Sequence, residues 1–284
     1  MKLPAFDYAC PTSLAEAVTL LASRDDAKPI AGGQSLVPMM AFRVASPALL
    51  VDLRKLPDLN RITIDNSSVR LGALVRWRDI ENDQRLGTAH PLLAAAIAHV
   101  AHYQIRNRGT VGGSLAHADP AAEMPGIALT CDAEIAVVGV NGSRLIPAGE
   151  FFLGALTTAL TPDEIIVEVS LPAWPAARRW GFQEFARRRG DFAMAAVALF
   201  YDTNIDGRAE NAHVGAIGVG DTPLRLTAVE QAINGRKVDT AVIADAARAA
   251  SESVDPPDDI HASGAYRRSL TGTLTERALK AAST

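Results

Sequence analysis

Cysteine is nearly absent: Cys10 and Cys131 are the only two in 284 residues. An iron–sulfur cluster takes about four ligands, normally cysteine, and a structural zinc takes about four cysteines or histidines. This chain cannot build the cluster alone. The two cysteines read as reduced thiols, with a contact between them left open. Aromatic residues make up 5% and are scattered, which excludes the stacking platform of single-strand nucleic-acid binders. Positive charge is not in excess: the formal charge is −4 and no Lys/Arg-rich tail occurs, so the footprint of a nucleic-acid partner is missing. No run approaches the roughly 18 apolar residues of a membrane span. The opening Lys2-Leu3-Pro4-Ala5-Phe6-Asp7 lacks the apolar core of a signal peptide. A soluble, cytoplasmic protein is expected.

The usual phosphate-binding signatures are lacking too. Neither G-x-G-x-x-G after a strand nor G-x-x-x-x-G-K-[ST] occurs. Gly215-Ala216-Ile217-Gly218-Val219-Gly220 has glycines in the reverse spacing and reads as close packing within a sheet. Ser/His/Asp and Cys/His constellations of covalent catalysis are missing, so no catalytic residue and no metal ligand is assigned. His99 and His102 lie three apart on an expected helix and read as solvated imidazoles.

What the chain does have is length and pattern. With 48% hydrophobic and 21% charged residues, it is long enough for two domains. Ser13 with Glu16 forms a capping box ahead of Leu14, Ala17, Val18 and Leu21 at helical spacing. Strands are expected over 28–31, 49–53, 62–64 and 69–71. A helix is expected from His90-Pro91 to about His102, and a brief strand at Thr110-Val111. A further helix is expected from an Asp119 cap through Leu129. Asn141-Gly142 is the strongest two-residue hairpin signal, between strands at 134–140 and 143–146. Another strand is expected over 165–171. Leu171-Pro172-Ala173-Trp174-Pro175 marks a boundary, since two prolines break any element there. Beyond it come strands over 180–187, 193–201 and 212–219. A helix capped by Thr227 and Glu230 follows, then helices over 239–254 and 264–282. Strands followed by helices make an α+β pattern.

Two segments draw attention: Ala31-Gly32-Gly33-Gln34-Ser35-Leu36 and Thr110-Val111-Gly112-Gly113-Ser114-Leu115. Each follows a short extended stretch with paired glycines, then a small hydroxyl residue, then an apolar one. Glycine lets backbone N–H groups approach a ligand closely, and consecutive N–H groups form an anion nest. Two such turns brought together would clamp a pyrophosphate without any lysine.

Extended to 27–40, the first segment resembles the first flavin motif of the medium subunits of the xanthine dehydrogenase and carbon monoxide dehydrogenase family. The second, from Arg106 to Pro125, resembles that family's second flavin motif almost throughout. Phe185-Ala186-Arg187-Arg188-Arg189-Gly190-Asp191-Phe192-Ala193 is similar to the family's segment opening the C-terminal domain. The resemblance implies an α+β fold. An FAD-binding domain of the vanillyl alcohol oxidase type would span 1–174, in two α/β subdomains of about 1–57 and 58–174. A smaller α+β domain would span 175–284.

It also implies FAD, held by Lys28, Pro29, Ile30, Ala31, Gly32, Gly33, Gln34, Ser35 and Leu36 on one side. Thr110, Val111, Gly112, Gly113, Ser114 and Ala116 would hold it on the other. Glu123 matches a carboxylate position on the flavin nucleotide, with Asp119 nearby. Val100 and Ala101 match positions near the cofactor, and Ile165, Ile166 and Gln183 match further ones; some relatives carry Lys where Gln183 is placed. The function implied is electron transfer from the [2Fe–2S] clusters of a small subunit, through FAD, to an external acceptor. Substrate chemistry would occur at the molybdenum–molybdopterin of a large subunit, in a dimer of heterotrimers. The Arg187-Arg188-Arg189 run reads as a solvated face or as a contact with the iron–sulfur subunit. Two rivals stay open: a free-standing flavin oxidase or reductase of the same fold, and a scaffold without flavin.

Overall fold

The computed structural model describes residues 2–283; the outermost positions of the expected 1–174 and 175–284 units lie outside it. The chain begins with β1 (Asp7–Ala9), α1 (Leu14–Ala22), β2 (Ala27–Ile30), α2 (Leu36–Ala41) and β3 (Leu49–Asp52). Ser13 caps α1 by accepting from the Glu16 amide at 3.3 Å, while the Glu16 carboxylate turns to the Thr12 amide. Strand β3 is buried along its whole length and lies between β1 and β2, parallel to both. Ala17, Val18 and Leu21 of α1 cover this sheet together with Leu49 and Val51.

The second unit is antiparallel. Hairpin β4 (Ile62–Ile64) and β5 (Ser68–Gly72) turns at Asp65, whose Oδ1 accepts from the Ser67 and Ser68 amides. There follow α3 (Trp77–Asn82), α4 (Leu86–Ala89), α5 (Pro91–Ile97), α6 (Tyr103–Arg106), α7 (Val111–His117) and α8 (Glu123–Thr130). Then come β6 (Glu134–Gly139), β7 (Gly142–Pro147), α9 (Ala148–Phe151), the small hairpin β8 (Phe152–Gly154) and β9 (Thr157–Thr158), and β10 (Ile165–Pro172). The sheet order is β4-β5-β10-β6-β7.

Three expectations are corrected here. The helix from His90 stops at Ile97 rather than His102, because Ala101 adopts a left-handed backbone (φ 43°). Arg106 holds that turn by donating Nη1 hydrogen bonds to the Val100 and Ala101 carbonyls at 3.0 and 2.8 Å. Thr110 is not in a strand but caps α7, accepting from the Gly113 amide at 3.1 Å. Helix α8 starts at Glu123, and Asp119 instead accepts from the Ala121 amide in the preceding loop.

The C-terminal unit is a four-stranded antiparallel sheet, β11 (Arg179–Phe185), β12 (Ala195–Thr203), β13 (Ala209–Ile217) and β14 (Leu224–Arg225). Helices α10 (Thr227–Ile233), α11 (Thr240–Glu252) and α12 (Gly264–Ser283) follow. Strand β12 reads as a continuous apolar run because both its faces are covered. Ala195, Val197, Leu199 and Tyr201 join the core under the helices, while Ala198 and Phe200 join the core of the second unit. Gly181 of β11 lies directly against the Ala278 carbonyl of α12, where a Cβ would clash. The expected Thr227–Glu230 cap is absent: Glu230 accepts from the Val214 amide at 2.8 Å and pairs with Arg225.

Candidate functional site

Two turns meet where the first and second sheets adjoin. One, residues 31–36, links β2 to α2; the other, residues 109–114, enters α7. A Cβ on Gly32 would collide with the Arg108 carbonyl oxygen and lie 2.9 Å from the Gly109 Cα, so glycine is what lets these backbones touch. A Cβ on Gly113 would sit 3.8 Å from that of Ala31 across the gap.

The turns are not the equivalent nests that their sequences suggest. In the second, the Val111, Gly112, Gly113 and Ser114 amides all have protein acceptors: the Val75 and Ala73 carbonyls, Thr110 Oγ1 and the Thr110 carbonyl. In the first, the backbone amides of Gly33, Gln34, Ser35 and Leu36 have none among the described residues. Gly33, at φ +72°, bends the chain so that these four follow one another. The Gln34 side chain is tied back to the Gly32 carbonyl at 3.1 Å. Four consecutive unsatisfied donors are the signature of an anion site. The second turn adds the Ser114 hydroxyl, which has no hydrogen-bond partner among the described residues either.

Both turns open into a cleft of about 1510 Å³, beyond the roughly 300–1,000 Å³ of ordinary small-molecule sites and suited to a long ligand. Lys28, Pro29, Ile30, Ala31, Gly32, Gly33, Gln34, Ser35 and Leu36 line it, as do Val100, Ala101, Thr110, Gly112, Gly113, Ser114, Ala116, Asp119, Glu123, Ile165 and Ile166. Val111 and Gln183 do not. Val111 is fully buried beneath the cleft floor. Gln183 shares the odd-numbered face of β11 with Gly181, which faces α12, and so points away from the cleft.

Glu123 is the chemically unusual member. The residue is buried, and burial pushes its carboxyl up to about 8, with the Glu184 carboxyl adding to the effect and a backbone hydrogen bond at Glu123 itself opposing it. It is therefore a mostly neutral acid at pH 7, donor as well as acceptor. The two thiols are free and separate; burial pushes that of Cys131 up to about 12. Among the described residues no group of three or more His, Cys, Asp or Glu converges as a metal site. No helix among them is long and apolar enough to cross a membrane.

The far wall of the cleft comes from the C-terminal unit. Arg187, Gly190, Asp191 and Phe192 line it, as do Asp259, His261 and Arg267. Gly190 (φ +88°) rests on the left-handed turn, where a Cβ would lie 2.7 Å from the Ala101 carbonyl oxygen. Arg267 is buried and donates to the Met194 and Gly218 carbonyls at 2.6 and 2.8 Å and to Asp259 at 2.7 Å. The third resemblance covers the first group. Nothing in the sequence marks the loop before α12, since its role depends on Arg267 folding back from the helix.

Comparison with known proteins now adds to this geometry. Residues 4–174 match the FAD binding domain in molybdopterin dehydrogenase, and residues 180–282 match the CO dehydrogenase flavoprotein C-terminal domain. The chain is 40% identical over 280 residues to the 6-hydroxypseudooxynicotine dehydrogenase complex subunit alpha of Paenarthrobacter nicotinovorans, covering 98% of this chain and 95% of that one. It is 40% identical over 279 residues to the nicotine 6-hydroxylase medium subunit of the same organism, covering 98% of each. A solved carbon monoxide dehydrogenase from Hydrogenophaga pseudoflava, in a form lacking the Mo-pyranopterin moiety, superposes with a TM-score of 0.96. The identity there is 36%, over 99% of this chain and 98% of that one. Fold and cleft thus define an FAD-binding oxidoreductase component of α+β architecture. The chain belongs to the FAD-binding medium subunits of the molybdenum hydroxylase family.

Proposed function

We propose that this chain is the electron-transfer subunit of a multi-subunit molybdenum hydroxylase. Electrons come from the [2Fe–2S] clusters of a small subunit and leave for an external acceptor. A large molybdopterin subunit carries the substrate chemistry, and the assembly is a cytoplasmic dimer of heterotrimers. The observation that carries the reading is the run of four unsatisfied amides at 33–36 in the wall of a cleft sized for a dinucleotide. FAD, when bound, accepts electrons singly and releases them in pairs.

The chain's own residues bind and orient. The amides of 33–36 would hold the pyrophosphate, and the hydroxyls of Ser35 and Ser114 would add to them. Asp119 and Glu123, which also line the cleft, would hold polar groups of the nucleotide. Val100 and Ala101 offer an apolar wall, fixed by Arg106, and Ile165 and Ile166 offer another. Val111 supports the second turn from below. Gln183 takes no part.

Acid precipitation of the purified chain should release a yellow supernatant containing FAD; FMN alone, or flavin retained in the pellet, would refute the pyrophosphate site. The electron-transfer role is tested by reconstituting the chain with FAD and offering aldehydes, purines and N-heterocycles with an artificial acceptor. Turnover should appear only after the large and small subunits are added. Robust turnover by the isolated chain would establish a free-standing flavin enzyme instead.

A further inference from the structure

Arg106 opens the second of the resembling segments, yet its side chain does not line the cleft. It serves the turn between α5 and α6. There Nη1 donates to two successive carbonyls, those of Val100 and Ala101, at 3.0 and 2.8 Å. In a trans peptide the N–H points opposite to the C=O, and no peptide among the described residues is cis. The Val100 carbonyl shares its peptide with the Ala101 amide, and the Ala101 carbonyl shares its peptide with the His102 amide. Both N–H groups are therefore turned away from the guanidinium. Neither has an acceptor among the described residues. Ala101 and His102 both line the cleft, so two free donors belong to it besides the run at 33–36.

The turn is held in this shape by its partners. Ala101 stands at φ 43°, a left-handed backbone that an L-residue adopts only at a cost. Charge-assisted hydrogen bonds are the strong ones, and one cation here takes both carbonyls. Arg106 is itself anchored: its Nε lies 2.9 Å from Glu81 Oε1, with the two side chains 18% and 21% exposed. Glu81 also meets Arg78 at 3.7 Å, and Arg78 lies over the Tyr103 ring just past the turn. From the C-terminal unit, Gly190 packs so closely on Ala101 and His102 that a Cβ would not fit. We propose that Arg106 is a positioning residue that holds Ala101 left-handed, so that the Ala101 and His102 amides donate to acceptor atoms of the cofactor. This rests on the reading of the cleft as the FAD site. The acceptor is an oxygen or nitrogen of the flavin ring, or an oxygen of the phosphate-bearing chain attached to it.

The test is a double-mutant cycle on the full chain, Arg106→Ala against Ala101→Gly, with two readouts. Fluorescence titration gives the FAD dissociation constant, and differential scanning calorimetry gives the melting temperature of the apo chain. Arg106→Ala should weaken FAD binding about tenfold, the upper end of what one hydrogen bond contributes. Glycine takes a positive φ at no steric cost, so adding Ala101→Gly should return most of the lost affinity. For the same reason Arg106→Ala should lower the apo melting temperature less in the Ala101→Gly background than alone. A merely structural role for the guanidinium would give equal losses in both backgrounds. The reduction potential of the bound flavin locates the acceptor. Arg106→Ala lowers it if the donors meet the ring, where they favour the electron-rich reduced form, and leaves it in place if they meet the phosphate-bearing chain. An Arg106→Ala variant with wild-type affinity, or a double variant as weak as Arg106→Ala alone, would overturn the proposal. If the wild type binds no FAD, the reading of the cleft falls, and the apo melting arm still decides whether Arg106 holds the turn.

Discussion

At the scale of single residues, the paired glycines do different work. Gly33 carries the left-handed backbone at φ +72°, which costs an L-residue about 1–2 kcal/mol. A β-branched side chain there would also crowd Val37 and Ile30, 3.3 and 3.4 Å from the new Cβ. Gly33→Val should therefore weaken FAD binding by about fivefold or more, the lower bound of that strain, with the far-UV circular dichroism unchanged. Gly113 is helical, and a Cβ there meets Thr110 Oγ1 at 2.8 Å. Gly113→Val acts by spoiling a helix cap, so it should lower the melting temperature along with flavin content.

Glu123 also predicts how stability varies with pH. Its ordinary value of 4.5 rises to about 8 in the folded chain. A raised carboxyl contributes stability that is full below about 4.5 and is lost as pH climbs through 8, on the order of 3 kcal/mol by pH 7. His90 works the other way: burial lowers it from 6.5 to about 4, so its contribution is present above 6.5 and lost as pH falls. Between pH 6.5 and 8 only the Glu123 loss remains among the displaced groups. The apo chain should melt at progressively lower temperature across that window, and Glu123→Gln should flatten the trend. A flat wild-type profile in differential scanning calorimetry would contradict the assignment.

At the scale of elements, the decisive contact is turn against turn. Gly32→Ala sets a methyl on the Arg108 carbonyl, and backbone cannot yield as a side chain can. It should cost about 1–3 kcal/mol, lowering the melting temperature by several degrees, and reduce flavin content more than Gly33→Ala does. Equal effects of the two alanines on melting would show that the turns are not wedged together. The same scale explains what the sequence made legible. Alternation and turn chemistry marked the hairpins at Asp65 and Asn141-Gly142, and the apolar run of β12 marked a strand covered on both faces. Thr110-Val111 read as a strand because both are β-branched, and Gly-Gly is a poor helix former. Gly112 is nonetheless helical because its Cα must lie against Ala73, leaving no room for a Cβ. The end of α5 was hidden because Ala101 takes a left-handed conformation without being glycine, held there by an arginine five residues on. Most cleft residues were found through motif resemblance. The loop before α12 became visible only once the fold of Arg267 was known.

At the scale of the molecule, Arg267 fastens the C-terminal unit around the cleft. It donates to two carbonyls and a carboxylate from a site only 6% exposed. Arg267→Ala leaves these acceptors unsatisfied and should cost about 3 kcal/mol or more. Arg267→Lys should recover little, because one ammonium cannot span three directions. In urea titrations followed by flavin fluorescence and circular dichroism, the alanine variant should release flavin well before it loses secondary structure. Coincident transitions would mean that the guanidinium supports the whole chain rather than the cleft wall.

The cleft takes its walls from stretches near residues 30, 115, 190 and 260, which only the folded chain assembles. A ligand that binds this surface and not the unfolded chain stabilises the fold by mass action, about 2.7 kcal/mol at a hundred times its dissociation constant. Differences of about 1–2 kcal/mol are enough to change a protein's cellular abundance several-fold. A cell short of riboflavin should therefore lose this chain to proteolysis faster than it makes it. Vitamin supply then sets the lifetime of the polypeptide as well as its colour, and a pulse-chase in a riboflavin auxotroph would show the half-life lengthening as the vitamin is restored.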